Sequence, residues 1–147
     1  AQVDGGGNVN VSRFGPKLAG CGGFIDITQN AKRVVYCGSF TAGGLKVEAK
    51  DGKLNILQEG KISKFIEGVE QTTFSGKYAL EKKQPVLYVT ERCVFELTDK
   101  GLELKEVAPG IDVEKDILAH MGFKPIINEP AEMDSRIFND GPMGMAE

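Results

Sequence analysis

Two segments alternate apolar and polar residues on both sides of a short polar turn, and this pattern constrains the fold most strongly. Residues 45–60 alternate around Asp51-Gly52, and residues 93–109 alternate around Asp99-Lys100-Gly101. A central Asp-Gly or a short Gly-containing turn between alternating runs is typical of a β-hairpin. The sequence therefore predicts two hairpins, and with them a fold in which strands dominate.

Further strands are predicted from runs rich in β-branched and aromatic residues. Residues 33–40 (RVVYCGSF) and 85–90 (PVLYVT) are such runs, and the first of them is predicted to be a buried strand. Residues 7–14 alternate valine with polar residues and predict one more strand. Residues 15–23 are punctuated by Gly and Pro and predict a loop. Residues 64–69 and 74–80 carry weaker patterns, typical of short strands or turns.

Few helices are expected. Residues 24–32 predict a helix of about two turns. Residues 112–123 carry the strongest helical pattern, with Asp112 as N-cap, Gly122 at the end, and an apolar stripe of Val113, Ile117, Leu118 and Met121. The proline-containing residues 125–147 predict an extended tail with at most a short helical turn. Together these patterns predict a single α/β domain over residues 1–147, with a mixed open sheet and few helices.

Composition excludes several classes of protein. The 147 residues carry a formal net charge of -3, whereas a general nucleic-acid binder has a basic face. No apolar run approaches the length of a membrane helix, and the first ten residues lack the features of a secretory signal. The three cysteines, Cys21, Cys37 and Cys93, are odd in number and widely spaced, which favours free thiols and a cytoplasmic location.

A cluster of glycines at Gly20, Gly22 and Gly23 precedes the short predicted helix. Without Cβ atoms, these positions let a ligand approach the backbone, and free N–H groups at a helix start suit a phosphate, a carboxylate or an oxyanion. A tight strand-to-helix turn would explain the same glycines. The dinucleotide fingerprint is absent, because Ile25 stands where its third glycine would be, and no Walker A motif follows.

Four other positions carry candidate chemistry. Cys21 could act as a nucleophile at the helix start, but no histidine lies near it in sequence, so packing is the favoured interpretation. Ser39 and Thr41 follow a predicted buried strand and could contact a ligand, or could belong to an ordinary polar loop. His120 falls in the last turn of the strongest helix, where a cation is favoured, and a single histidine cannot build a zinc site.

The acid and base in Thr90-Glu91-Arg92, at the end of the 85–90 strand, could serve a site, but charged residues at such a place are usually solvated, and solvation is the expectation here.

Several separated motifs resemble the β-half of the family I coenzyme A transferases. They are, in chain order, AQVDGGGNVNVSRFGPKLAG, GCGGFIDITQNAKRVVY, YVTERCVFEL, GLELKEVAPGIDVEKDILAHMGF and EMDSRIFNDGPMGM. The chain is most similar to the short-chain acyl enzymes of this family, such as propionate and acetoacetate CoA-transferases. The resemblance implies the C-terminal portion of a CoA-transferase domain of the NagB/RpiA/CoA-transferase-like fold.

The resemblance implies CoA transfer from a short-chain acyl-CoA to a carboxylate acceptor, through a ping-pong glutamyl-CoA thioester. CoA is then a substrate, and neither a cofactor nor a metal is implied. Backbone N–H groups of Gly22 and Gly23 would hold the thioester oxyanion, and the CoA side would be contacted by Gly20, Cys21, Gly22, Gly23, Ser39 and Thr41. The nucleophilic glutamate is expected upstream of this chain, because the first acidic residue is Asp4 and the first glutamate is Glu48.

The absence of the expected nucleophilic glutamate from this chain determines which partners the resemblance implies. We expect the chain to need the missing N-terminal part or the α-half of the enzyme, to be inactive alone, and to form a homo-oligomer without nucleic acid or membrane. Removing the first strands of a sheet should leave a free edge and bare apolar surface. The alternative is a non-catalytic α/β module that binds a partner chain or a CoA-like ligand.

Overall fold

A computed structural model describes residues 1–145 of the chain as a mixed α/β structure with few helices. In chain order the strands are β1 (Gln2–Val3), β2 (Val9–Asn10), β3 (Arg13–Phe14), β4 (Lys17–Leu18), β5 (Val34–Cys37), β6 (Thr41–Ala42), β7 (Lys46–Lys50), β8 (Lys53–Gln58), β9 (Ile62–Ser63), β10 (Val86–Val89), β11 (Cys93–Thr98), β12 (Gly101–Val107) and β13 (Ile126–Glu132). The helical segments are α1 (Phe24–Gln29), α2 (Gly76–Glu81), a π-helical turn (Val113–Ile117) and 3-10 turns at Leu118–His120 and Ser135–Phe138.

The main sheet has five strands in the order β13-β12-β11-β10-β5. Its two outer pairs, β13 with β12 and β10 with β5, are parallel, whereas β10, β11 and β12 form an antiparallel centre. The predicted mixed open sheet is therefore confirmed. The other strands form four separate two-stranded pairs: β1 with β2, β3 with β4, β6 with β9, and β7 with β8.

Apolar residues pack on both faces of the main sheet. The larger cluster is centred on aromatic rings, with Phe65 lying between Phe40 and Phe95 at centroid distances of 4.9 and 5.2 Å. Stacking at this spacing adds to the area that the rings bury. The smaller cluster is on the opposite face and contains Leu54, Val94, Ala108, Met133 and Phe138. The β7–β8 hairpin and the C-terminal segment cover that second face only in part.

Both predicted hairpins are confirmed. The first turns at Asp51 and Gly52, which have φ values of 53° and 74° as a type I′ turn requires. The second pairs β11 with β12 and closes at Thr98 and Gly101. The 85–90 strand is also confirmed, as β10.

The single strand predicted for residues 7–14 is wrong. The segment forms β2 and β3, which pair with different partners. Asn10 explains the break, because its Oδ1 atom accepts hydrogen bonds from the backbone N–H groups of Ser12 and Arg13 at 3.0 and 3.1 Å. This side-chain turn bends the backbone out of the strand conformation. The predicted loop that follows contains β4, the second strand of a small hairpin.

The weak patterns at residues 64–69 and 74–80 each contain one β-bridge, Phe65 with Val3 and Phe74 with Val9, and bends surround the first of them. Residues 76–81 form α2, because Ser75 caps it by accepting the N–H of Tyr78 at 3.2 Å. The short strand β9 lies just before residue 64 and pairs with β6. The helix predicted for residues 24–32 is present but shorter, as the six-residue α1.

The strongest helical pattern does not give an α-helix. Asp112 does act as N-cap, accepting the Lys115 N–H at 2.8 Å, but the turn that follows is π-helical and then tightens to 3-10 by His120. The carbonyl oxygen of Asp116 accepts a hydrogen bond from Arg92 Nη1 at 2.8 Å. A carbonyl that points at a side chain is lost to the regular i→i−4 ladder, which is a recognised cause of such irregular turns.

The C-terminal tail contributes a strand to the main sheet, which the prediction of an extended surface tail missed. Residues 126–132 form β13, which pairs in parallel with β12 through a register shift next to Glu129, whose φ is 47°. Pro130 is tolerated there because β13 is an outer strand. The short helical turn predicted in the tail is confirmed at Ser135–Phe138. Residues 146 and 147 lie outside the described part.

The strand predicted as buried at residues 33–40 is buried only on one side. β5 is the outermost strand of the main sheet, and Val35 keeps 48% of its surface exposed. Its neighbour Val34 is buried in the larger cluster. Among residues 1–145, no helix is long and apolar enough to cross a membrane.

Candidate functional site

A cavity of about 250 Å³ opens where the parallel strands β5 and β10 end. The carboxyl ends of parallel strands are a common location for ligand sites in α/β folds. The cavity is lined mostly by apolar side chains, and the lining residues are Ala1, Val3, Val9, Val11, Phe24, Tyr36, Cys37, Gly38, Ser39, Lys64, Phe65, Tyr88, Val89 and Thr90.

Two polar groups stand out in this cavity. Lys64 Nζ donates to the carbonyl oxygen of Ser39 at 2.5 Å, and burial lowers the pKa of Lys64 although the carboxylate of Glu91 works in the opposite direction. Tyr36 Oη is buried and has no hydrogen-bond partner among residues 1–145. Burial raises the pKa of Tyr36 to about 12, so it stays a neutral phenol.

The glycine loop is exposed to solvent at Gly20, Gly22 and Gly23. Gly20 and Gly22 have φ values of 76° and 51°, and a Cβ atom built on either would meet no atom within 4 Å. The backbone conformation therefore favours glycine at both positions, whereas the packing leaves room for a side chain. Gly23 differs, because its φ is -85° and an added Cβ would make only ordinary contact with Ile27 Cδ1 at 3.5 Å.

The backbone N–H groups of this loop are largely free. The Gly20 N–H donates to the Ser12 carbonyl oxygen at 3.2 Å, and the Phe24 N–H donates to the Cys21 carbonyl oxygen at 3.0 Å. Within residues 1–145, the N–H groups of Gly22 and Gly23 have no acceptor. Exposed, unpaired N–H groups on adjacent residues can accommodate an anion or a developing oxyanion.

The residues predicted from sequence do not share one pocket. Gly20 and Cys21 line a shallow groove together with Leu18 and Ile25, whereas Ser39 lines the cavity at the end of β5. The Ser39 hydroxyl donates to the Thr41 carbonyl oxygen at 2.7 Å. Phe24, directly after Gly23, is the residue that connects the glycine loop to the cavity wall.

Thr41 is only 1% exposed. Its hydroxyl is hydrogen-bonded to the Glu59 carboxylate and accepts the Gly60 N–H at 3.1 Å. In the described structure this side chain therefore braces the end of β8.

Arg92 is the centre of a buried charge network, so the expectation of solvated charges after β10 is wrong. Its guanidinium pairs with Glu59 and with Glu91, both at 2.7 Å, and lies 4.7 Å from the centre of the Phe40 ring. The second oxygen of Glu91 accepts the Phe40 N–H at 2.8 Å. The network thus fixes the segment after β5 that carries Ser39.

Glu59 is the main carboxylate partner in this network. Burial alone would raise its pKa, but hydrogen bonds from Arg92, Thr41 and Gly60 outweigh that effect and lower the pKa of Glu59 to about 2. His120 Nε2 lies 3.5 Å from the same carboxylate. His120 therefore faces the Glu59 carboxylate from the end of a 3-10 turn. The regular helix whose C-terminus it was expected to occupy does not form.

Sequence reasoning missed Glu59, Lys64 and Tyr36. Glu59 lies 33 residues from Arg92 in a segment interpreted only as a hairpin, and no local pattern signals such a pairing. A buried tyrosine hydroxyl and a half-buried lysine are likewise properties of the folded chain.

Asp4, the first acidic residue, serves a structural purpose. Its Oδ1 atom accepts the N–H groups of Gly6 and Asn8 at 3.0 and 3.1 Å, and both of its carboxylate oxygens accept from Asn8 Nδ2. The carboxylate thereby holds the turn between β1 and β2. Within residues 1–145, no three Cys, His, Asp or Glu residues converge in a way that could hold a metal ion.

The chain is closely similar to known CoA-transferases. It is 52% identical over 145 residues to acetate CoA-transferase YdiF of Escherichia coli K12, covering 98% of this chain, and 52% identical over 146 residues to caffeate CoA-transferase of Acetobacterium woodii, covering 95%. A crystal structure of the acyl-CoA transferase YdiF from E. coli O157:H7, a thioester complex with CoA, superimposes with a TM-score of 0.95 at 53% identity over 98% of the chain.

By sequence and fold, the chain belongs to the CoA-transferase family. No family model matches it. The chain spans 27% and 28% of the lengths of the two curated relatives, and 28% of the length of the crystallised enzyme. The similarity therefore concerns about a quarter of the length of each relative.

Proposed function

We propose that this chain is the C-terminal part of the β-half of a CoA-transferase, and that the intact protein moves CoA from a short-chain acyl-CoA to a carboxylate acceptor. The observation that carries the proposal is the exposed glycine loop with free N–H groups at Gly22 and Gly23, in a chain 52% identical to two CoA-transferases. Free backbone N–H groups of this kind are the hydrogen-bond donors that a thioester oxyanion needs.

The proposed chemistry is a ping-pong cycle on a carboxylate. A glutamate of the intact protein attacks the acyl-CoA carbonyl carbon and releases CoA thiolate, leaving a mixed anhydride. The thiolate then attacks the glutamyl carbonyl, which releases the free acid and leaves a glutamyl-CoA thioester. The acceptor carboxylate reverses both steps. Each attack places negative charge on a carbonyl oxygen, and donors at Gly22 and Gly23 would stabilise it.

We place the nucleophile outside this chain. Asp4 is engaged in its turn, and Glu59 and Glu91 are paired with Arg92. A carboxylate whose pKa is held near 2 by an ion pair is a poor nucleophile. A glutamate contributed by another part of the intact protein would leave these pairs undisturbed, and the isolated chain would then be inactive.

The proposed short-chain acyl class rests on the sequence resemblance to short-chain acyl enzymes, whereas the relatives share CoA transfer. One relative is named for acetate and the other for caffeate, yet both are 52% identical to this chain. Overall identity therefore supports CoA transfer between carboxylic acids more strongly than it supports a given acyl length. We propose short-chain acids as substrates, and an aromatic acid is the informative comparison.

The experiment is a transfer assay on the intact protein, with acetyl-CoA or propionyl-CoA as donor and short-chain carboxylates or caffeate as acceptors. We expect transfer, and we expect hydroxylamine or borohydride to abolish activity only when acyl-CoA is present, because both reagents destroy the thioester. Binding of CoA without transfer would support the alternative, a non-catalytic module. Absence of both would contradict the proposal.

The cellular location and the partner chains are also proposals. The free cysteines Cys21, Cys37 and Cys93 fit a reducing cytoplasm. The half-covered second face of the sheet fits a protein in which other segments, the α-half, or further copies complete the assembly.

A further inference from the structure

A second cavity, of about 290 Å³, lies where the parallel strands β5 and β10 begin. It is formed mainly by the short segments that follow α1 and α2. The cavity described above lies where the same two strands end, so the two cavities are at opposite ends of this strand pair. The second cavity is polar and charged, and the side chains that matter here are Lys32, Tyr78, Lys82, Lys83 and Gln84.

The charge around this cavity is positive. Within residues 1–145, three lysines line it, at positions 32, 82 and 83, and no acidic residue does. In the same described part of the chain, no carboxylate lies within ion-pair distance of any of the three. The Lys82 ammonium lies 5.5 Å from the centre of the Tyr78 ring, so it contacts an aromatic face. Like charges around one cavity repel each other, and an anion between them would remove that repulsion.

The end of α2 does not account for these lysines. Cationic side chains commonly interact with the free carbonyl groups at the C-terminus of a helix. Here the carbonyl oxygens of Tyr78, Ala79 and Leu80 already accept backbone N–H groups at 2.8 to 3.0 Å. The lysine ammonium groups are therefore not taken up by these three carbonyls.

Gln84 gives a second, independent indication of a ligand. It is 8% exposed, and its Nε2 atom donates to the carbonyl oxygens of Thr28 and Ala31, both at 2.7 Å. Its Oε1 atom is buried and has no hydrogen-bond partner within residues 1–145. Because Nε2 is held by these two carbonyls, Oε1 is the atom of this amide that is left for a group in the cavity. A buried acceptor without a donor is costly, so a ligand with a hydrogen-bond donor is favoured.

These two features together define the chemistry of the ligand. Three ammonium groups favour a doubly charged anion, and lysine commonly binds phosphate as a compact point charge. Oε1 of Gln84 favours an anion that also carries an O–H or N–H group. At neutral pH inorganic phosphate retains a P–O–H group, and a sugar phosphate carries hydroxyl groups on its carbon skeleton. Sulfate has the same charge as the phosphate dianion but no donor.

We propose that this cavity binds a phosphate group, either as free phosphate or as part of a small phosphorylated molecule. Lys32, Lys82 and Lys83 surround the phosphate, and Gln84 Oε1 accepts a hydrogen bond from a hydroxyl group of the ligand. The site is separate from the glycine loop and from the cavity beside Ser39. Neither the site nor its test depends on CoA transfer.

Equilibrium dialysis of the intact protein against labelled phosphate and labelled sulfate, at neutral pH and fixed ionic strength, tests the site. We expect phosphate to bind about fivefold more tightly than sulfate, because only phosphate offers a donor to Gln84 Oε1. Gln84→Met should abolish this preference. That variant also loses the hydrogen bonds to Thr28 and Ala31, so the preference in the unmodified protein is the measurement that does not depend on its folding.

A second measurement concerns the lysines. Replacing all three with glutamine, as Lys32→Gln, Lys82→Gln and Lys83→Gln, should weaken phosphate binding about tenfold or more. The control makes the same change in net charge at three exposed lysines of the β7–β8 hairpin, as Lys46→Gln, Lys50→Gln and Lys53→Gln. The affinity of this control for phosphate should be unchanged.

Three outcomes would overturn the proposal: equal affinities for phosphate and sulfate in the unmodified protein, equal losses in the two triple variants, or no binding at millimolar phosphate. Glycerol phosphate identifies the source of the phosphate group. Tighter binding than that of inorganic phosphate would assign the site to an organic phosphate, and weaker binding would assign it to free phosphate. Every readout is binding and not turnover, so a failure here is distinguishable from a failure of the proposed CoA transfer.

Discussion

The Nη1 atom of Arg92 lies 2.7 Å from Oε2 of Glu59, and the Arg92 side chain is completely buried. The same guanidinium donates to the carbonyl oxygen of Asp116 and covers the Phe40 ring. One side chain therefore joins the end of β8, the segment after β5 and the π-helical turn. These three segments are far apart in sequence, so the pair acts as a tertiary constraint on the region around the cavity.

Replacing Arg92 should destabilise the protein strongly. In Arg92→Met the side-chain volume at position 92 is largely retained, but Glu59 and Glu91 lose their counter-ion although both carboxylates are partly buried. Removing one partner of a buried pair costs about 3–5 kcal/mol, and the partial exposure of Glu59 sets the expectation near 3 kcal/mol. The free energy of unfolding of the intact protein in urea measures this loss.

The matched control is Arg136→Met. Arg136 also pairs with a carboxylate, that of Asp134, but both side chains are exposed. Exposed pairs contribute about 1 kcal/mol or less. Equal losses in the two variants would contradict the structural importance assigned to Arg92.

The same network predicts a dependence of stability on acidity. The pKa of Glu59 is about 2 in the folded chain and near its ordinary value of about 4.3 when unfolded. The unfolded state binds the proton more readily, so this contribution is complete above the unfolded pKa and disappears as pH falls towards 2. It amounts to at most about 3 kcal/mol. Unfolding free energies measured between pH 5 and 2, at intervals of roughly half a pH unit, follow its loss.

Glu59→Gln isolates that contribution. The glutamine keeps the shape and some hydrogen bonds but cannot titrate, so its stability should fall less steeply in acid than that of the unchanged protein. Asp134→Asn is the comparison, because the pKa of Asp134 is also lowered to about 2 by Arg136, but on an exposed carboxylate. If Glu59→Gln leaves the acid slope unchanged, the network does not carry this linkage.

Bulk in the glycine loop should stop turnover. In the intact protein, Gly22→Val would place a branched side chain beside the free N–H groups of Gly22 and Gly23, where the proposed oxyanion binds. Loss of one such donor typically lowers the rate about 10²–10³-fold. Steady-state CoA transfer measures the effect, with a thermal unfolding curve recorded on the same sample.

Backbone strain must be separated from the loss of the site, because Gly22 has a φ of 51°. Gly15→Val is the matched control: Gly15 has a φ of 56°, and its added Cβ also meets nothing within 4 Å. Both substitutions carry strain of about 1–2 kcal/mol. Similar rates in the two valine variants would remove the loop from the mechanism. Cys21→Ala should leave the rate close to normal, because the Cys21 thiol is interpreted as a packing group and not as a nucleophile.

The three thiols should react in a fixed order. Cys37 is exposed, Cys21 is half-buried and Cys93 is buried. Burial raises the pKa of Cys93 to about 12, so almost none of it is thiolate at neutral pH. Labelling of the 147-residue chain with a thiol reagent, followed by peptide mapping, should modify Cys37 first and Cys93 only after denaturant is added. Early labelling of Cys93 in native buffer would contradict the described core.

Local patterns predicted those elements whose structure is determined locally. The Asp51-Gly52 hairpin needs positive φ at two adjacent residues, and Asp-Gly is a residue pair that favours such a turn. The Asp112 cap could also be predicted from local sequence. The irregular turn after it could not be predicted, because the Asp116 carbonyl accepts a hydrogen bond from Arg92, which is distant in sequence. Asn10 could have signalled the break between β2 and β3, since asparagine forms such turns, but the valine alternation hid it.

The candidate site likewise has one part that the sequence predicted and one part that it could not predict. The glycines at positions 20, 22 and 23 were recognisable as a loop accessible to a ligand, and the structure leaves two of their N–H groups unpaired. The placement of Ser39 at the cavity, and of Thr41 in a buried contact with Glu59, depends on long-range packing that no short pattern encodes. The functional assignment of these residues remains a proposal that their geometry supports.

The most direct measurement is the intact mass of the longer protein after incubation with acyl-CoA alone, without an acceptor acid. A ping-pong mechanism predicts a covalent adduct equal to one CoA less one water, which hydroxylamine removes and which maps to a glutamate outside the 147 residues. An unmodified mass under conditions that support CoA transfer would contradict the account.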